Sequence, residues 1–155
     1  MNQIAHILAV DLIDAGLSVA NKKALFQQLA IGMGRRSGMA QKQVLAALNE
    51  RERLGSTGFG NGTAIPHGKV EGLTRVMGYF VRLNAPIDYQ AIDGLPVDLV
   101  FMLLSPPDVG ADHLKTLAEV SRLLRDRTML DKLRGARSKD AIFALLSRVE
   151  ALDAA

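Results

Sequence analysis

An α/β fold, with one β-sheet covered by helices on both faces, is what this sequence predicts. Three observations carry the prediction. Helical periodicity dominates residues 21–53, and it returns from about residue 112 to 147. Two apolar runs of strand character, Val76–Leu83 and Val97–Leu104, lie between them. No repeat, low-complexity tract or Pro/Gly/Ser linker divides the chain. Helices on both sides of the strands in sequence order point to a three-layer α/β/α sandwich.

The elements follow in order. A short first strand is expected within residues 12–20, around Leu17 to Ala20. Asn21 reads as an N-cap. Behind it Leu25, Leu29 and Met33 recur at helical spacing, and Gly32, Gly34 and Gly38 punctuate the end of that helix. A second helix is expected over about Ala40 to Arg53, with Val44, Leu45 and Leu48 inward and Gly55 just past its end. The chain then becomes glycine-rich, with Gly55, Gly58, Gly60, Gly62 and Gly68 close together. The run Val97–Leu104 is apolar on both faces apart from Asp98, as a central strand would be. Asn84-Ala85-Pro86 and Asp93-Gly94 are turn signals between the two main strands. In the last third Leu114, Leu117, Ser121 and Leu124 share one helical face. A short helix covers about Thr128 to Arg134, and Ser138 caps a third with Ile142, Leu145 and Leu146 inward. Residues 150–155 are expected to fray.

Composition narrows the function classes. The 155 residues suit one domain. Hydrophobic residues make up 48% and charged residues 23%, which excludes wholesale disorder. Cysteine is absent, so disulfides and thiolate metal sites are excluded, and a cytoplasmic location fits. Lys22 is the first lysine, and Asp11 and Asp14 interrupt the apolar opening, so no secretory leader is expected. No run approaches the roughly 20 apolar residues of a membrane span, and no membrane insertion is expected. The pI near 9.4 invites a nucleic-acid reading. Yet 19 basic residues stand against 16 acidic ones, and aromatics are only 5%, too few for a stacking platform. The basic stretch Arg122, Arg125, Arg127, Lys132, Arg134 and Arg137 reads as a solvated helical face or as a dock for an acidic partner.

Few residues can carry chemistry. His6, His67 and His113 form no local metal-ligand pair, and no metal or other cofactor is called for. No G-x-S-x-G elbow presents a serine. Gly58-Phe59-Gly60-Asn61-Gly62 lacks the dinucleotide spacing. Gly62 to Lys69 has one residue too many for a phosphate-binding P-loop, and Val70 stands where that loop needs Ser or Thr. Thr63-Ala64-Ile65-Pro66-His67-Gly68 is different. Pro66 ends a short strand-like segment and fixes φ, and Gly68 leaves room, so the His67 imidazole stands at a strand end with open space beside it. A solvated turn histidine is the plain reading. The chemical one is a nucleophile, since an imidazole of pKa about 6.5 is mostly neutral at cell pH. Phosphoryl transfer needs in-line positioning and N–H or cationic groups around the phosphoryl oxygens. Glycine N–H groups, Arg51 or Arg53, and His113 at a helix N-terminus would supply them if the fold brought them together.

Residues Arg51 to Lys69, RERLGSTGFGNGTAIPHGK, resemble the signature of the fructose/mannitol-type EIIA domains of the bacterial phosphoenolpyruvate-dependent phosphotransferase system. The nitrogen-related branch, EIIA-Ntr, is the better match. Ile87 to Phe101 and Asp112 to Leu117 match that branch too, in the same order. The resemblance covers roughly residues 10–150, taken as the ordered core of a single domain spanning 1–155. It implies a mixed sheet between helical layers, ordered as one strand, two helices, three strands and three helices. It implies that His67 accepts a phosphoryl group on Nε2, and that His113 and Arg51 stabilise it. Ser56, Thr57 and Gly68 would line the pocket. The implied donor is an HPr-type phosphocarrier protein. The implied outputs are regulatory targets, among them potassium-transport or kinase proteins. A sugar-specific EIIA serving a separate EIIB, or a binding module without phosphotransfer, are the alternatives. No nucleic-acid partner is expected.

Overall fold

The computed structural model describes residues 3–108 and 110–147. The chain begins with α1 (Gln3–Ile7) and a 3-10 turn at Val10–Leu12, which leads into β1 (Ile13–Leu17). Two helices follow, α2 (Lys22–Ser37) and α3 (Gln41–Arg53). Three short strands come next, β2 (Gly58–Gly60), β3 (Thr63–Ala64) and β4 (His67–Lys69). The long strands are β5 (Met77–Ile87) and β6 (Val97–Ser105), and the chain continues through α4 (Gly110–Arg125), α5 (Arg127–Gly135) and α6 (Lys139–Ser147).

The apolar run Val97–Ser105 becomes the middle of the sheet because only there can both faces of a strand be buried. Every residue of β6 except Asp98 is buried. On one side β6 pairs antiparallel with β5, which pairs parallel with β1 at the edge. On its other side β6 pairs parallel with β3 and then with β4, and β2 closes the far edge antiparallel to β3. The sheet is therefore mixed, as the family resemblance implies.

Alternation along β5 sorts the helices into two layers. A Cβ on Gly78 would lie 2.9 Å from the Phe101 ring and 3.2 Å from Ile7 of α1, so this face carries α1, α4, α5 and α6. The next residue, Tyr79, turns its ring the other way, against Gly32 of α2, in the layer of α2 and α3. Phe80 and Phe101 meet edge to face at 6.0 Å in the first layer. Each such fully buried large side chain contributes about 1.5–3 kcal/mol. Arg82 ties β5 to that layer, donating from Nε to the Ala15 carbonyl and from Nη1 to the carbonyls of Leu133, Arg134 and Ala136.

Local signals hold where they rest on capping chemistry. Asn21 Oδ1 accepts from the Ala24 N–H at 2.9 Å, and Gly38 closes α2 in the left-handed region at φ 78°. Ser138 Oγ accepts from the Ala141 N–H at 3.1 Å, ahead of α6. Gly94 sits at φ 74° in the expected turn.

Other expectations are corrected. The first strand lies at Ile13–Leu17, not around Leu17 to Ala20, because pairing to Phe80–Leu83 fixes it there despite Asp14 and Gly16. α2 runs through Gly32 and Gly34, and Gly32 serves the Tyr79 ring rather than ending the helix. β5 continues through Asn84-Ala85-Pro86, with a register shift between Arg82 and Ile87 that removes the need for a proline N–H. α4 buries His113, Thr116, Val120, Leu123 and Leu124; Leu117 is half-buried against the core as expected, but Leu114 is 66% exposed and Ser121 is half-buried. Leu145 is half-buried and packs against the core, as expected. Thr63–Ala64 forms the short strand expected ahead of Pro66, whereas β2, β4 and the helix α1, whose Ile4 and Ile7 are buried, have no counterpart among the sequence expectations. Residues 150–155 lie outside the described residues.

Candidate functional site

β4 is the anchor of the site. His67, Gly68 and Lys69 pair with Leu103, Leu104 and Ser105 at the C-terminal end of β6. The segment Ile65-Pro66 separates β3 from β4, and the Pro66 carbonyl still accepts from the Leu103 N–H at 3.0 Å. Proline interrupts the strand without moving it off β6. Gly68 faces α3, where a Cβ would meet the Ala47 carbonyl oxygen at 3.1 Å. Its neighbour His67 must then face the opposite side of the sheet. That is the side of α4, which starts a few residues after β6 ends.

His113 lies in the first turn of α4, and its ring centroid is 5.7 Å from that of His67, at an interplanar angle of 42°. Two histidines 46 positions apart are thereby brought to one end of the sheet. His67 Nδ1 is 2.7 Å from the Ile65 carbonyl oxygen. A carbonyl only accepts, so Nδ1 carries the proton and the neutral ring has its lone pair at Nε2. His113 Nδ1 is bonded to the hydroxyl of Ser105, the last residue of β6. Either group can donate in this bond; in the tautomer in which the hydroxyl donates to Nδ1, the ring proton sits on Nε2.

Burial lowers the His67 pKa from its ordinary value, and the Arg51 guanidinium nearby pushes the same way. The Ile65 hydrogen bond and the Glu52 carboxylate oppose these effects. His113 is lowered too, first by burial and then by His67 and Lys69. Both rings are thus held toward the neutral form in a positive neighbourhood, a setting that favours an approaching anion.

Arg51 lies in the last turn of α3 and donates from Nη1 to the Gly55 carbonyl at 2.9 Å, which curls the following loop back over the helix end. Arg53, by contrast, pairs outward with Glu50. Thr57 is buried and its carbonyl accepts from the Ile65 N–H at 3.0 Å, so the loop is tied directly to the segment that carries His67. Ser56 Oγ accepts from the Gly58 N–H at 3.1 Å and shapes the loop. Gly68 contributes the close approach of α3 rather than a side chain.

The sequence reading did not single out Glu52, Tyr89, Lys22 or Ser105. The Glu52 carboxylate binds the Thr57 N–H and hydroxyl and the Lys22 ammonium, and Tyr89 OH stands 2.8 Å from the Thr57 hydroxyl. Its position beside Arg51 in the signature was the only available hint. Among the described residues, no group of three or more His, Asp or Glu side chains is arranged to hold a metal ion. No helix among them is long and apolar enough to cross a membrane.

With this geometry in place, comparison with known proteins defines the class. Residues 6–149 match the family model of the phosphoenolpyruvate-dependent sugar phosphotransferase system, EIIA 2, and the chain belongs to that family. Within it, the nitrogen-regulatory branch is the more similar one. A nitrogen regulatory protein of Bradyrhizobium diazoefficiens is 45% identical over 144 residues, covering 93% of this chain and 94% of that one. The crystal structure of the nitrogen regulatory protein IIA-Ntr from Neisseria meningitidis superposes with a TM-score of 0.90 at 34% identity, covering 94% of this chain and 99% of that one. More distantly, mannitol enzyme IIA of Escherichia coli, solved in complex with phosphorylated enzyme IIB, shares the fold with a TM-score of 0.77 at 18% identity, covering 90% of this chain and 96% of that chain. The chain is a component of the phosphotransferase system by family.

Proposed function

We propose that this chain is a phosphohistidine carrier with a regulatory output, and that His67 Nε2 is the acceptor. The observation that carries the reading is the bond from His67 Nδ1 to the Ile65 carbonyl, which leaves the Nε2 lone pair free beside His113. The donor is a phosphohistidine protein of the HPr type. Nε2 attacks phosphorus as the donor's P–N bond breaks, and the bonding electron pair returns to the donor imidazole. The proton on Nδ1 stays in place, and the positive charge that develops on the His67 ring is shared with the Ile65 carbonyl dipole. Arg51, His113 Nε2–H and the N-terminus of α4 are suited to the equatorial oxygens, and no metal is required. Ser56, Thr57 and Gly68 shape the surrounding loop.

Phosphorylation adds roughly two negative charges at this surface, so partners that dock there gain or lose affinity with donor supply. That is the regulatory reading, with its targets in the cytoplasm, and the nitrogen-regulatory relatives favour it. The second reading, a sugar EIIA that serves a separate EIIB, draws on the mannitol complex.

The test is incubation with phosphoenolpyruvate, Enzyme I and an HPr-type carrier, followed by mass spectrometry under alkaline conditions. One acid-labile phosphate on His67 is expected, and His67→Ala should abolish it with the fold intact. Wild-type labelling of that variant would refute the assignment. Rapid loss of the phosphate to an added fructose- or mannitol-type EIIB would favour the second reading.

A further inference from the structure

We infer that Glu52 is a positioning residue for the His67 imidazole, acting through Thr57 and Ile65 and itself held by Lys22 and Tyr89. The kinetic consequence rests on the carrier reading above; the geometry does not.

Three hydrogen bonds run from Glu52 to the ring. Glu52 Oε2 accepts from the Thr57 N–H at 2.9 Å. The Thr57 carbonyl accepts from the Ile65 N–H at 3.0 Å. The Ile65 carbonyl accepts from His67 Nδ1 at 2.7 Å. The Glu52 side chain is only 9% exposed, and its other contacts are equally specific. Lys22 Nζ reaches Oε2 at 2.9 Å from the first turn of α2. The Thr57 hydroxyl donates to Oε1, so it must accept from Tyr89 OH, 2.8 Å away. The bonds therefore run in one direction, from Tyr89 through Thr57 to the carboxylate.

Tyr89 is a rigid support. It is fully buried, Phe26 of α2 meets it edge-on at 6.1 Å, and Lys22 Nζ lies 4.5 Å from its ring centroid. Burial and the adjacent carboxylate hold its phenol well above the ordinary tyrosine range, so it remains a donor at every working pH. The cluster thus clamps the 54–58 loop to α2, to α3 and to the segment after β5.

A loop clamp alone does not need a charge. A near-buried carboxylate is costly unless it is paired, and a glutamine could bond the same loop. A carboxylate close to His67 has an effect that glutamine lacks. It favours positive charge on the ring, which is the charge that develops when Nε2 bonds phosphorus. Arg51, the preceding residue, has the opposite sign and suits the phosphoryl oxygens. Adjacent residues at the end of α3 thereby address the two ends of the forming P–N bond.

The test uses Glu52→Gln in the full chain, with two readouts. One is ¹⁵N NMR titration of His67, which reports tautomer and pKa without any donor. The other is phosphorylation kinetics from an HPr-type donor. The wild type should show His67 in the Nδ1–H tautomer. Glu52→Gln should lower the His67 pKa further, admit the Nε2–H tautomer, and cut the transfer rate at saturating donor at least ~10-fold. The half-saturating donor concentration should hold. An unchanged tautomer and pKa in Glu52→Gln would overturn the inference, whatever the rate. If Glu52→Gln fails to fold, Tyr89→Phe keeps the ring and the carboxylate but removes one support of the clamp, and should admit the Nε2–H tautomer and slow transfer; an unchanged tautomer would overturn the inference. Should the wild type accept no phosphate on His67, the carrier reading fails, and the titration still decides the role of Glu52.

Discussion

At the scale of single residues, His67 is set by its neighbours rather than by its own chemistry. Burial and Arg51 hold its pKa below the ordinary value, and His113 is lowered in the same sense. A folded-state pKa below the unfolded value of about 6.5 means that the unfolded chain binds protons first as pH falls. Stability is therefore full above about pH 6.5, declines as pH drops toward the folded values, and levels off beneath them. Denaturant titrations between pH 5 and 8 should show this decline, and it should shrink in His67→Ala and His113→Ala. Phosphoryl acceptance should fall with a midpoint below 6.5, since protonation occupies Nε2; a midpoint at or above 6.5 would contradict the lowered pKa. His113→Ala should still be labelled on His67, but more slowly. Loss of one oriented donor costs about 2–4 kcal/mol of transition-state energy, roughly 30- to 1,000-fold in rate. Arg51→Ala should behave alike. Stopped-flow transfer from the donor measures both. The histidines and Arg51 were legible as sequence because each stands in a quoted motif. Glu52 was legible only as a motif letter, because its role needs Thr57, Lys22 and Tyr89 in space.

Elements differ in what fixes them. α2 is bounded by local chemistry at both ends, and its interior carries a tertiary demand. Alanine at Gly32 would raise helix propensity by about 1 kcal/mol. Its Cβ would stand 2.1 Å from Cε2 of the buried Tyr79 ring, however, and overpacking typically costs about 1–3 kcal/mol. Gly32→Ala should therefore be net destabilising in urea unfolding, and Gly32→Ala with Tyr79→Leu should recover part of the loss. α5 is the counter-example, where a local cap suffices. Asp126 Oδ1 accepts from the Thr128 and Met129 N–H groups, and Asp126→Ala should cost about 1 kcal/mol. α4 shows why the sequence misled. Leu114 and His113 are adjacent letters about 100° apart on the helix, and apolar periodicity favoured the leucine. The Ser105 hydroxyl and the end of β6 instead draw His113 inward, and Leu114 is left exposed beside the site. The strands β2 and β4 escape a sequence reading because their glycines, Gly58, Gly60 and Gly68, have no side-chain pattern to read; backbone pairing of β2 to β3 and of β4 to β6 makes them strands.

For the whole molecule, the basic surplus is small, a net +3, although six basic residues lie close together in one stretch. Arg122, Arg125, Arg127, Lys132, Arg134 and Arg137 are exposed around α4 and α5. Arg134 is already committed, bonded from Nε and Nη2 to Asp98 and from Nη2 to the Asn61 carbonyl. Arg125 lies 6.0 Å from the Phe59 ring. With a net charge of +3, the chain should bind nucleic acid no tighter than the roughly 10⁻⁴–10⁻⁶ M of non-specific contacts at about 150 mM salt. Fluorescence anisotropy with phosphorylated and unphosphorylated protein checks this, and a sequence-dependent nanomolar affinity would contradict it.

The sequence by itself determined the layer order, the central strand, the helix caps and the motif residues, because periodicity, capping and motif spacing are local properties of the chain. Tertiary structure alone decided which face α4 turns inward, where the edge strand β1 begins, and that His67 meets His113. Those outcomes depend on partners in other elements, from Ser105 eight residues before His113 to β5 more than sixty residues after β1. The His67 tautomer joins both levels: Pro66 and Gly68 are written next to it, but the orientation of the ring comes from pairing β4 to the end of β6. A hydrogen bond or a packed ring has a direction, and direction exists only once the strands and helices are in place.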